Sequence, residues 1–294
     1  METKLIQLYC HICQLCKYTT IAEVMQRLSN NCRPKFTDEE VILCYIWGVL
    51  NGKSSVKDVY RFICDYWHGW FPLLPGYHAF NHRINTLSDV LPKLLSCTIG
   101  QLPLDPQITS HLLDSLPITV AKSQRSGFAT SAKPFCDKGY CASKGEYYYG
   151  VKLHFIGQSR SHSLPLPVAV CLSPASSGDI TVAKLWLQDG FYNIDVFADK
   201  AYADKMWHAQ LKNMRNISIF TPVKLAKGQQ FLDSADNLWN RAVSSVRQPV
   251  EAFFNWLNEK VKIQCASKVR SEKSLFVHVF GKFLAACFAL IFNF

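Results

Sequence analysis

Three acidic residues stand where a carboxylate is costly unless something holds it. Asp199 stands where the apolar run stops in the stretch Ile194-Asp-Val-Phe-Ala-Asp-Lys-Ala-Tyr202, in which Ile194, Val196 and Phe197 are strand formers and Tyr202 opens a helical pattern. The stretch reads as a buried strand delivering one carboxylate at its C-terminal end, where open α/β sheets bind ligands. Asp114 interrupts an extended apolar segment, residues 108–120, with Leu112, Leu113 and Leu116 around it. Glu251 belongs to a helical pattern whose apolar face is Val246, Val250, Phe253 or Phe254, Leu257 and Val261. Arg247 lies one turn earlier at the border of that face, within reach of Glu251. Taken singly, each has a plain reading: a strand-end aspartate before Pro117, a pair between Asp199 and Lys200, and a surface pair between Arg247 and Glu251. Taken together, three convergent carboxylates cannot all stay ionised without a cation. Oxygen donors of this kind select hard divalent ions, Mg²⁺ or Mn²⁺. Two such ions side by side suit phosphoryl transfer, in which an attacking and a leaving oxygen both need stabilising.

The elements that must position these groups form a mixed α/β pattern. Residues 108–120, 146–156 and 164–172 read as strands, followed by a helix over 179–187 and the strand ending at Asp199. A helix over 203–212, a short strand over 217–221 and a helix over 244–262 complete the series. Pro249 is tolerated in a first turn, which predicts that the last helix starts near Ser245. Residues 122–144 and 222–240 read as polar loops.

The first hundred residues are different in texture. Thr37-Asp-Glu-Glu40 is a capping box that opens an apolar helix. A second helix follows over 56–67, then a proline-punctuated turn, Phe71-Pro-Leu-Leu-Pro-Gly-Tyr77, and a third helix over 78–95 carrying His82 and Arg83. Short helices, tight turns and basic residues suit a helix-turn-helix type of DNA binder. Prolines at 103 and 106 mark a linker. The expected organisation is therefore a helical, DNA-end-binding domain over 1–100, a linker over 101–107 and a catalytic domain over 108–294.

With 32 basic against 22 acidic residues the net charge is +10, which favours a polyanionic partner such as DNA. Hydrophobic residues make up 49%, enough for a substantial core and too many for a disordered chain. Twelve cysteines are scattered, several inside apolar runs, and no leader is visible at Met1-Glu-Thr-Lys, so a cytoplasmic, reducing compartment is expected. Cys10, Cys13 and Cys16, with His11 and Cys32 nearby, raise a zinc question, but no second ligand pair at a defined distance accompanies them. Residues 274–294 approach membrane length yet carry His278 and Lys282, so a packed terminal helix is the expectation.

The motifs Asp114-Ser-Leu-Pro-Ile118, Tyr149-Gly-Val-Lys-Leu-His154, Ala198-Asp-Lys-Ala-Tyr202 and Arg247-Gln-Pro-Val-Glu251 resemble those of bacterial insertion-sequence transposases of the IS982 type, within the DDE superfamily. Phe36-Thr-Asp-Glu-Glu40 and Phe80-Asn-His-Arg-Ile-Asn85 extend the likeness into the N-terminal half. The resemblance implies an RNase H-like mixed sheet with flanking helices and a metal-binding triad of Asp114, Asp199 and Glu251. It implies cleavage of DNA at element ends and 3′-OH strand transfer into target DNA by a homo-oligomer. Arg247 and Lys200 are expected to steady phosphates or the carboxylates, with Lys152, His154 and Tyr202 as further candidates. Related transposases carry a tyrosine three residues before the arginine and a lysine seven after the glutamate; here Ser244 and Asn258 stand there, and Lys260 and Lys262 are the nearest lysines. The alternatives are a metal-dependent nuclease that cuts without joining, and a catalytically inactive DNA-binding repressor.

Overall fold

The computed structural model describes residues 1–27, 34–142, 144–225 and 228–293. Cys32 of the zinc question, Ser143 in the 122–144 loop and residues 226–227 in the 222–240 loop lie outside the described residues. Contacts divide the chain into two compact units.

One unit is helical and comprises residues 1–101, 129–134 and 257–294. Its first half contains α1 (Glu2–Cys16), α2 (Thr19–Met25), α3 (Asp38–Leu50), α4 (Val56–Tyr66), α5 (Tyr77–Thr86) and α6 (Val90–Ile99). The capping box at Thr37 is formed: its hydroxyl accepts from Glu40 N–H, and the Glu40 carboxylate accepts from Thr37 N–H. Asp38, in the first turn of α3, is buried and takes guanidinium hydrogen bonds from both Arg27 and Arg83. The single helix expected over 78–95 is two helices, because a tight turn at Leu87–Asp89 separates α5 from α6. Of the N-terminal cysteines, Cys10 is exposed, Cys13 half-buried and Cys16 buried, all as free thiols.

The sequence alone attaches residues 257–294 to the second domain, whereas their contacts lie with the helical unit. A continuous helical stretch, Glu272–Phe292, is long and apolar enough to cross a membrane, with mean hydropathy 2.1 over its most apolar 18 residues, yet 72% of that window is buried inside the fold. Its last part, Lys282–Phe292, packs against α3 and α6, which is how a core helix of a globular body behaves. Buried Lys282 donates to the Lys262 carbonyl at 3.0 Å, and His278 Nε2 donates to the Ile263 carbonyl at 2.8 Å.

The other unit, residues 102–128 and 135–256, is built on one mixed sheet. Its strands are β1 (Ser110–Ala121), β2 (Asp137–Cys141), β3 (Glu146–Gln158), β4 (Leu166–Pro174), β5 (Asp195–Ala198) and β6 (Ser218–Phe220). The central path runs β2, β3, β1, β5, β6, and β4 also pairs with β3. The three long strands, β1, β3 and β4, are antiparallel neighbours, whereas β5 and β6 join parallel to β1. β2 falls in the 122–144 stretch expected to be loop; its mostly exposed residues lack the apolar alternation that marks a strand. Gly150 permits the close approach of β3 to β1, since a Cβ there would lie 2.0 Å from the Ile118 carbonyl oxygen.

Helices α7 (Asp179–Trp186) and α8 (Lys205–Arg215) cover one face of the sheet through a core of Leu113, Ile156, Leu187, Val196, Trp207 and Leu211. The long helix α9 (Ser234–Val261) meets the other face, with Phe253 stacked on Phe155 at 4.6 Å between ring centroids. The start of α9 corrects the sequence expectation. It begins eleven residues before Ser245 and carries Pro249 in its interior. The Asp233 carboxylate caps it by accepting from Asp236 N–H at 2.8 Å. Packing of Phe253 and Phe254 on Phe155 of the sheet offsets the one hydrogen bond that Pro249 removes.

Candidate functional site

Asp114 and Asp199 reach the same place by different routes. β1 and β5 run parallel with Leu113 beside Ala198, so the next residue on each chain, Asp114 and Asp199, falls at the matching level. Leu113 and Ala198 both point into the core under α7 and α8. Alternation therefore turns both aspartates to the opposite face, toward α9. Asp199 sits where β5 stops and caps a short turn, Lys200–Tyr202, with its carboxylate accepting from Lys200 N–H at 2.7 Å.

α9 supplies the other two charges. Arg247 Nη2 donates to Asp114 Oδ2 at 3.0 Å and to Glu251 Oε1 at 3.3 Å. One guanidinium nitrogen thus joins a strand carboxylate to a helix carboxylate. The Arg247 and Asp114 side chains keep only 16% and 17% of their exposure, while Glu251 keeps 62%. Burial pushes the Asp114 carboxyl above its ordinary value despite the opposing pull of Arg247, and the nearby charge of Asp199 adds to the rise. Burial alone would lower the Arg247 guanidinium, but the charges of Asp114, Asp199 and Glu251 outweigh it and raise it. Arg247 pairs directly with Asp114 and Glu251 and feels the charge of Asp199.

The donor set fits a hard divalent cation: three carboxylates on two adjacent strands and a facing helix, with oxygen as the only donor atom. Among the described residues, however, no group of three or more His, Cys, Asp or Glu side chains stands close enough together to hold an ion as they are. The guanidinium of Arg247 takes the position between Asp114 and Glu251.

The remaining candidates do not join this cluster. Lys152 and His154 lie on β3 and point to the α7 face, the side away from α9. Lys152 Nζ donates to Asp179 Oδ1 at 3.0 Å and to the Ser177 carbonyl at 2.9 Å. His154 is buried against the Ser173 hydroxyl at 2.8 Å, and burial pushes its imidazole down to about 4, so it is neutral. Tyr202 is buried too, and its hydroxyl is held well above its ordinary value by burial and then by Asp114 and Asp179. Lys200 is exposed beside Asp199. Lys260 belongs to the helical unit.

Asp179 is a residue that sequence reasoning treated only as a helix start. At the head of α7 it accepts from Ser115, the neighbour of Asp114, at 3.0 Å and from Lys152. Its field reaches Tyr202 together with those of Asp114 and Asp199. The signal that could have found it is Ser115: a hydroxyl on the buried face of an apolar strand needs a partner.

A family model described as a transposase DDE domain matches residues 108–288. Comparison with curated proteins gives no match.

Proposed function

The chain belongs to the transposase DDE-domain family, and from that premise we propose that it cuts DNA at the ends of a mobile element of the IS982 type and joins the freed 3′-OH to target DNA. One observation carries the reading. Asp114 and Asp199 sit at matching positions on neighbouring parallel strands, and Glu251 shares a cation with Asp114.

Asp114, Asp199 and Glu251 would hold Mg²⁺ or Mn²⁺, with two ions expected. When bound, the ions supply charge stabilisation and Lewis-acid activation for in-line displacement at phosphorus. The protein's own groups set the geometry. β1 and β5 fix two carboxylates on a rigid sheet, and α9 brings the third from the opposite side. Arg247, and exposed Lys200 beside Asp199, are the cations available to a DNA phosphate. Residues 1–100 serve as the end-binding part, and the net charge of +10 favours binding of the whole chain to DNA.

The test is incubation of the purified protein with its own flanking element ends and Mn²⁺. Cleavage followed by strand-transfer products is expected, with both lost in Asp199→Asn. Cleavage without joining would make the protein a nuclease. Tight, salt-sensitive binding with no cleavage under any divalent ion would make it a repressor. Undiminished cleavage by Asp199→Asn would refute the assignment of the site.

A further inference from the structure

The guanidinium of Arg247 touches Asp114 and Glu251 through a single nitrogen and feels the charge of Asp199. Its Nε is buried, and among the described residues it has no hydrogen-bond partner. The side chain is therefore held by charge at one end and is not pinned along its length. A cation sits among three carboxylates that, on the reading above, must also receive divalent ions.

We infer that Arg247 is the resident counter-ion of the three carboxylates and competes with the divalent cation for them, so that metal uptake releases the guanidinium and a DNA phosphate accepts it. This rests on the proposed function and adds to it a coupling between metal and DNA through one side chain. Coupling of this kind is reciprocal. If metal binding frees Arg247 for phosphate, then phosphate that captures Arg247 must tighten metal binding by the same factor. Arg247 has a good reason to wait where it does: Asp114, Asp199 and Glu251 all act on it by their charge, and Asp114 and Asp199, left unneutralised, disfavour one another's ionised form. Its planar fork also suits both partners, since it matches carboxylate and phosphate equally well.

The experiment measures Mn²⁺ affinity of the full chain by electron paramagnetic resonance, with and without duplex DNA. Four proteins are compared: the wild type, Arg247→Gln, Arg247→Lys and Asp199→Asn. Without DNA, Arg247→Gln, which keeps the stem and loses the charge, is expected to bind Mn²⁺ about tenfold tighter than wild type. Arg247→Lys, which keeps the charge, stays within about threefold of it. Duplex DNA tightens Mn²⁺ binding severalfold in the wild type and distinctly less in Arg247→Gln. Equal or weaker Mn²⁺ affinity in a folded Arg247→Gln protein overturns the inference.

A second measurement needs no loss of charge. In ¹⁵N-labelled wild type, the arginine Nε resonance that is missing from Arg247→Lys shifts on Mg²⁺ titration with the midpoint of metal binding; a resonance that stays still overturns the inference. The outcomes also separate the two levels. Mn²⁺ uptake that is lost in Asp199→Asn but unmoved in Arg247→Gln removes only the counter-ion role. A wild-type protein that takes up no Mn²⁺, with or without DNA, removes the metal reading and the inference together.

Discussion

Two buried charges in the helical unit show opposite solutions to one problem. Asp38 is nearly enclosed and is compensated twice. Burial would raise its carboxyl, but the guanidiniums of Arg83 and Arg27 overcome this and hold it below its ordinary value. A depressed carboxylate stabilises the fold above the unfolded pKa and loses that contribution as pH falls through the folded one. Asp38→Asn strands two guanidiniums and is expected to cost about 3–5 kcal/mol at neutral pH. Chemical denaturation across pH should show the gap between wild type and variant closing in acid. Lys282 is buried and donates to the Lys262 carbonyl, and burial pulls its ammonium down to about 8. Its charged form is penalised, so stability is lost as pH falls from its ordinary value near 10.5 through the folded one. Lys282→Met should therefore stabilise the protein at pH 7 by up to about 3 kcal/mol, at about 1.4 kcal/mol per pKa unit. The advantage should disappear above pH 10.5, as read from melting temperature. Either residue could be noticed in the sequence, Lys282 as a lone charge in an apolar run and Asp38 inside a capping box. Their partners could not, because Arg83 is brought to Asp38 only by the fold.

At the level of elements, α9 matters most, since it carries both Arg247 and Glu251 and has Pro249 between them. The apolar stripe of this helix is legible because helical spacing exposes it. Its beginning is not legible, because a proline normally signals a first turn and the true signal is a single cap at Asp233. Pro249→Ala restores one main-chain hydrogen bond and removes a clash with the preceding turn. It should raise the melting temperature, by an amount corresponding to about 1–3 kcal/mol. It should also lower DNA cleavage, because relaxing the helix between Arg247 and Glu251 alters their reach toward the strands. A melting temperature that falls would mean that the proline ring itself is required by the packing of α9. The strands with strong apolar alternation were legible for the same physical reason as the α9 stripe. β2 was hidden because its short run, Asp-Lys-Gly-Tyr-Cys, has no apolar alternation.

For the molecule as a whole, the charge and the two textures of the chain are readable from composition, but the sharing of segments is not. No periodicity tells the apolar segment 282–292 that its partners are α3 and α6 rather than the sheet. The positions of the three acidic residues were readable because each interrupts or borders an apolar pattern. The pairing of Arg247 with Glu251 was readable from their spacing, but the reach of Arg247 to Asp114 and the support that Ser115 gives to Asp179 depend on the fold and stayed hidden. The fragment 1–101 lacks the helix that fills its own core. Circular dichroism and exchange protection should show it largely unfolded alone and ordered when residues 257–294 are supplied. Because those residues are translated after the sheet, the helical body cannot be finished on the ribosome until the segment between its two halves has already been made. A message cut short after the sheet would leave apolar faces of α3 and α6 bare and hand the product to proteolysis. Such a product would not persist as a half-formed competitor for the same DNA.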